Sequence, residues 1–114
     1  YTLWHTLSLH DALPISIVDS WINTHGGYWS EFEILSRLTE ELGEVASARQ
    51  REKGLRPRKT ETDLPGEVGD LLFTLIAFAN RMNIDLDQEM ERVLAKYDIR
   101  DGNAWKDHTP EEDR

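Results

Sequence analysis

The sequence contains no cysteine. Disulfides, thiolate metal sites and a cysteine nucleophile are therefore excluded, and a reducing cytoplasm is the expected setting. Long apolar runs are missing too. The longest, Leu71 to Ala79, is interrupted by Thr74 and falls well short of the ~20 residues that a membrane span requires. No secretory signal is expected, because the first sixteen residues have no basic start. Positive charge is scarce. Thirteen Lys and Arg stand against twenty-two Asp and Glu, a formal net charge of -9. Nucleic-acid backbone is bound by clustered positive charge, so polymeric DNA or RNA is not an expected partner. Such acidity instead suits a site that collects a divalent cation.

What is present is a globular balance of 39% hydrophobic and 31% charged residues in 114. That length allows one domain. A chain this short buries only part of its apolar surface, so a metal or a partner subunit would help it. Residues 1–16, YTLWHTLSLHDALPIS, have no steady period and resemble translated sequencing-adapter read-through. They are expected to be a non-native extension, so His5 and His10 are not read as ligands. The domain is expected over residues 17–107, with a polar tail at 108–114.

From Ile17 the pattern becomes regular. Ile17, Val18, Trp21 and Ile22 have helical spacing, and Gly26-Gly27 ends that element. Ser30 and Glu33 form a capping box, with Trp29 and Ile34 placed for a hydrophobic staple. A helix is expected from about Glu31 to Arg51, its apolar stripe running through Leu35, Leu38, Leu42 and Val45. A loop follows to residue 63, and the segment from Arg49 to Lys59 holds six of the thirteen basic residues. The next helix begins near Pro65 and is apolar on most sides from Leu71 to Ala79, until Asn83 stops it. Asp85 and Gln88 then cap a last helix with an apolar face of Leu86, Met90, Val93, Leu94 and Tyr97. No strand shows convincing alternation. The fold class is all-α: a helical bundle, completed by a second copy because the apolar helix needs more cover than two neighbours provide.

Two acidic clusters carry the chemistry. One is EELGE at residues 40–44, the other EVGD at 67–70. Each places carboxylates three residues apart on one helix face. Glu41 lies within about 60° of the centre of the apolar stripe at 100° per residue, and Glu67 and Asp70 open the most apolar stretch of the chain. Acidic groups near a core need pairing or a metal. Glu41, Glu44, Glu67 and Asp70 would form an oxygen-only cage suited to magnesium or manganese. No histidine lies in either cluster, which argues against zinc and against a di-iron site. Magnesium commonly takes substrate phosphates as further ligands, so a polyphosphate is the expected substrate class. Glu40, beside the ligands, is the candidate base for a water nucleophile, with Glu41 the other candidate catalytic residue. The plain alternative is that paired acids form a solvated face. One such pair would favour that reading; two pairs leaning into apolar faces favour a metal.

The paired pattern EExxE then ExxD resembles the MazG-like, all-α nucleoside triphosphate pyrophosphohydrolases. The segments GGYWSEFEILSRLTEELGEVA, GDLLFTLIAFANRMNIDL and KYDIRDGNAW extend the likeness over roughly residues 17–106. The resemblance implies hydrolysis of nucleoside triphosphates between the α and β phosphates, with magnesium on Glu41, Glu44, Glu67 and Asp70. It also implies a dimer or tetramer of bundles and a role in clearing non-standard or excess nucleotides. Related groups are the dimeric dUTPases, dCTP pyrophosphatases and phosphoribosyl-ATP pyrophosphohydrolases. Two departures stand out. Pro65 and Gly66 precede Glu67 where better helix formers are usual, and Ala104 replaces a basic residue before Trp105.

Three further residues are candidate substrate contacts. Asn80 ends the apolar helix, where it either touches the nucleotide or satisfies backbone. Lys96 and Arg100 lie in the family-like KYDIRD segment and either reach phosphates or pair on a solvated face. Tyr28 and Trp29 are candidates for stacking on a base, and the basic loop is a candidate cover for the triphosphate. His25 and His108 are assigned nothing. A non-catalytic helical dimer that binds nucleotides or a protein partner is the alternative from a different class.

Overall fold

A computed structural model describes residues 13–57 and 62–100. Among these residues run four helices: α1 (Pro14–Thr24), α2 (Glu31–Glu52), α3 (Leu64–Arg81) and α4 (Leu86–Arg100). No strand occurs among the described residues. The all-α expectation holds. Ala104, Trp105 and His108 lie outside the described residues, as do Arg58 and Lys59 of the basic segment.

The helix starts follow local chemistry. Before α2, the Ser30 hydroxyl accepts from the Glu33 backbone N–H at 3.3 Å and donates to the Glu33 carboxylate at 2.8 Å. At α3 the cap is Asp63, whose carboxylate accepts from Gly66 N–H at 3.2 Å. A side chain at position 66 would collide with that carboxylate. Gly66 therefore leaves room for the Asp63 cap. Before α4, Asp85 accepts from Gln88 N–H at 3.1 Å. These contacts satisfy backbone donors that a helix start leaves without partners.

The stops are equally specific. Asn83 has φ 57°, the left-handed conformation that ends helices. Ile84 N–H then reaches back to Ala79 O at 2.8 Å and Asn83 N–H to Asn80 O at 3.2 Å. Gly54, at φ 76°, ends α2 in the same way, with Leu55 N–H bonded to Gln50 O at 2.9 Å. Arg49 and Arg51 stand in the last turn of α2, where cations complement the helix dipole. They belong to the helix, so the basic segment is only partly a loop, and Arg56 donates back to Ser47 at 3.3 Å.

The chain divides into two compact units, one through Ile84 and the other from Asp85 onward. In the first, α3 packs along α2 and against α1. The core is built from Val18 and Ile22 of α1, Ile34 and Ala48 of α2, and Ile76, Ala77 and Ala79 of α3. Each large side chain so buried contributes roughly 1.5–3 kcal/mol. Helix α1 starts at Pro14, three residues before the regular pattern, and the Asn80 amide donates to Ile15 O at 3.2 Å. Residues 14–16 thus take part in the fold, although the sequence pattern placed them outside it.

The register of α2 differs from the expected stripe. The buried positions are Ile34, Glu41 and Ala48, with Leu38 and Val45 half-buried. Leu35 and Leu42 face outward, at 39% and 59% exposure, and Trp29 is exposed at the position expected for a staple. A wheel counts apolar residues wherever they are, and so it drew the stripe toward Leu35 and Leu42. The second unit, α4, carries its apolar residues at helical spacing but buries none of them; Leu86 and Val93 are half-buried, while Met90, Leu94 and Tyr97 are exposed.

Candidate active site

The site grows from the pairing of α2 with α3. Glu41 occupies the centre of the inward row of α2, between Ile34 and Ala48, and is 6% exposed. Glu67 and Asp70 lie one turn apart near the start of α3. Carboxylate oxygens of Glu41, Glu67 and Asp70 all lie within 4.8 Å of one another. Three like charges at that separation repel strongly, and the strain shows in Glu67. Its pKa is raised, first by burial and then by the charges of Glu44, Asp70, Glu41 and Asp63. Glu44 is exposed and stands outside the three-carboxylate group, but its field acts on Glu67. Glu40 is exposed as well.

Glu41 is not left bare. Arg37, one turn earlier, places Nε 2.9 Å from its Oε1, and Nη1 of the same guanidinium lies 4.0 Å from Glu40. Sequence reasoning missed Arg37. The signal was present in the spacing, since residues four apart on a helix are neighbours.

The donor set fits a hard divalent cation. Every donor in the group is oxygen, and among the described residues no histidine joins it. Oxygens around magnesium at ~2.1 Å lie no more than about 4.2 Å apart. Small side-chain rotations would bring the three carboxylates to that spacing.

A cleft of about 390 Å³ opens beside this group, within the range of small-molecule sites. Glu41, Asp70 and Arg37 line one part of it, and Trp21, His25, Tyr28, Trp29 and Phe73 supply an aromatic wall. Trp21 stacks on His25 with centroids 4.0 Å apart and meets Phe73 edge-on at 5.6 Å. The His25 ring is fixed by Nδ1 contacts to Trp21 O at 2.7 Å and to the Thr24 hydroxyl at 3.0 Å. Tyr28 donates to Asp19 Oδ1 at 2.5 Å. Its pKa is pushed up to about 12 by burial, by that hydrogen bond and by the Asp19 charge, against an opposing hydrogen bond from Asn80. Thr74 sits buried in the lining with its hydroxyl bonded to Asp70 O at 2.9 Å.

The three carboxylates are thus brought together, and Tyr28 and Trp29 line the cleft beside them. Asn80 is engaged with Ile15 O and with Tyr28, so it bears on the cleft through the tyrosine. Lys96 and Arg100 belong to the second unit, where both lie over the Tyr97 ring at 5.5 and 5.7 Å. His25, assigned nothing from the sequence, is part of the aromatic wall. No helix among the described residues is long and apolar enough to cross a membrane.

The chain resembles known proteins in sequence and in fold. The model of the MazG nucleotide pyrophosphohydrolase domain matches residues 30–105, a stretch that includes both acidic clusters. YpjD of Bacillus subtilis, itself uncharacterized, is 42% identical over 82 residues, covering 69% of this chain and 74% of YpjD. The crystal structure of YpjD, a candidate pyrophosphatase, superposes with a TM-score of 0.68 at 38% identity, over 76% of this chain and 91% of that one. A Bacillus-conserved MazG protein, described as a nucleotide pyrophosphohydrolase, superposes with a TM-score of 0.63 at 31% identity, over 91% and 99%. With its carboxylates converging where two helices of this fold meet, the chain belongs to the MazG nucleotide pyrophosphohydrolase family.

Proposed function

We propose that the chain hydrolyses nucleoside triphosphates at the α–β anhydride, with magnesium held by Glu41, Glu44, Glu67 and Asp70. The elements of water add across that bond, giving a nucleoside monophosphate and pyrophosphate. The observation that carries this reading is a buried carboxylate, Glu41, converging with Glu67 and Asp70 beside an aromatic cleft. Bound magnesium would neutralise phosphate charge and polarise the anhydride. Manganese fits the same oxygen donors.

The remaining work falls to side chains. Glu40, exposed and held only by its 4.0 Å pair with Arg37, is the proton acceptor for the water. Trp21, Tyr28, Trp29 and Phe73 offer flat apolar faces to a base. Asn80 steadies Tyr28, and Lys96 and Arg100 are assigned to the phosphates on the likeness of the KYDIRD segment. The cleft does not select one base by its composition, so nucleotide clean-up in the cytoplasm is the role proposed.

A second copy completes the bundle in this reading. Phe32, Leu35 and Leu42 on α2 and Val68, Leu72 and Leu75 on α3 are all exposed, between 39% and 72%. Monomers rarely leave so many large apolar groups on adjacent helices uncovered. A dimer or a tetramer of the chain would cover them.

The test is pyrophosphate release from a panel of canonical and modified NTPs and dNTPs, with and without magnesium. Magnesium-dependent release of pyrophosphate and monophosphate, abolished by Glu41→Gln, is the expected result. A folded, magnesium-binding protein that releases none would overturn the hydrolase reading and favour a nucleotide-binding dimer.

A further inference from the structure

We infer that Arg37 is an exchangeable counter-ion: it neutralises buried Glu41 until a divalent cation displaces it, and then turns to the anionic chain of the substrate. This rests on the metal seat proposed above and adds to it a residue with two successive partners.

The first argument is electrostatic. Glu41 is 6% exposed and lies among two other carboxylates. A buried charge without compensation is strongly destabilising. Among the described residues Glu41 has one cationic partner, the Arg37 guanidinium at 2.9 Å. A divalent ion on the same carboxylate would face that guanidinium at short range, and like charges that close repel. Occupancy by both is disfavoured, so one must yield.

The second argument is about freedom to yield. Arg37 is half-exposed, with 53% of its side chain open to solvent, while its partner is almost fully enclosed. Its Nη1 already lies 4.0 Å from the exposed carboxylate of Glu40. The guanidinium therefore has a second anion within reach on the solvent side.

The third argument concerns where it goes. Among the residues lining the cleft, Arg37 is the one permanent cation. Its planar fork matches phosphate oxygens in a way that an ammonium does not. The pair is also poorly explained as helix support. A cation four residues before an acid is the less favourable order along a helix, and such pairs are worth only a few tenths of a kcal/mol.

The experiment uses the full chain and its Arg37→Met and Arg37→Gln variants. Titration with Mn2+ alone, without nucleotide, reads the exchange directly. Both variants are expected to bind Mn2+ about tenfold more tightly than the wild type, because the competing charge is gone. In chelator both should melt at lower temperature, and Mn2+ should restore more of that loss than it adds to the wild type. With nucleotide, KM should rise about tenfold while kcat changes less, as expected for a lost ground-state phosphate contact. Unchanged or weaker Mn2+ binding in the variants would overturn the inference, leaving Arg37 a surface pair. If Arg37→Met does not fold, Arg37→Gln, which keeps a hydrogen-bond donor, decides the question alone. A wild type that binds no Mn2+ at all, with Glu41→Gln indistinguishable from it, would instead sink the metal seat itself.

Discussion

Two rows of α2 run side by side and are built the wrong way round for an ordinary surface helix. The inward row is Ile34, Glu41 and Ala48; the outward row includes Leu35 and Leu42. A carboxylate is buried and leucines are exposed. Simple burial energetics would exchange them, since each buried leucine contributes roughly 1.5–3 kcal/mol and a buried charge costs several. The inversion teaches that neither row is optimised for the isolated chain. Under the function proposed above, the inner row would meet a cation and the outer row a second copy.

Substitutions sharpen that contrast. The largest effect is expected on the inner row. Glu41→Gln should lower the rate of pyrophosphate release by about a thousandfold, a loss in the range assigned to metal stabilisation of charge. It should leave the melting temperature in chelator unchanged or higher, because a repelling charge is gone from beside Glu67. Steady-state kinetics and a thermal melt check both halves. A large fall in melting temperature with modest loss of activity would mean that Glu41 is structural, and the contrast would collapse.

On the outer row Leu42→Glu, and on neighbouring α3 Leu72→Glu, should convert the proposed assembly to monomer, read by sedimentation velocity. An exposed position on a monomer tolerates such a change within about 0.5 kcal/mol. A variant that stays the same size and keeps its stability would show that the leucines face water by design. Smaller still, Ser30→Ala removes the cap that sets the phase of both rows and should cost about 1 kcal/mol in urea unfolding.

The smallest effect is a pH dependence. Tyr28 is held protonated in the fold, its pKa pushed up to about 12 against an ordinary 10.0. The unfolded chain releases that proton first. Stability from this group is therefore complete below pH 10 and declines as pH rises toward 12. Tyr28→Phe should flatten that decline. Equal slopes in the two proteins would remove the Asp19 hydrogen bond from the account.

Much of this was legible in the sequence. EELGE and EVGD announced the carboxylates, and Ser30, Asp85 and Asn83 marked helix ends through side chains and a backbone conformation that act locally. What escaped depended on neighbours. The stripe of α2 was drawn through Leu35 and Leu42 because a wheel cannot tell cover within the chain from cover by a second copy. Arg37 was overlooked because an arginine beside acids reads as a solvated pair until one partner is seen to be buried. The Tyr28–Asp19 bond spans the Gly26-Gly27 turn, and no periodicity connects those two positions. The reason for Gly66, the Asp63 carboxylate three residues away, shows only once the cap is formed in space.

The bond from Asn80 to Ile15 spans 65 positions of sequence. The carboxylate group, by contrast, needs only α2 and α3, neighbours along the chain that pair without long loop closure. The two halves of the site therefore differ in the reach of their contacts along the chain. Pairing of α2 with α3 alone brings the carboxylates together, whereas Trp21 and His25 reach the cleft through the docking of α1. Local opening of α1, which costs less than global unfolding, would dismantle the aromatic wall and leave the acidic seat standing. Hydrogen exchange would then report protection in α2 and α3 that outlasts protection in α1, so the aromatic wall would come apart while the carboxylates stayed together.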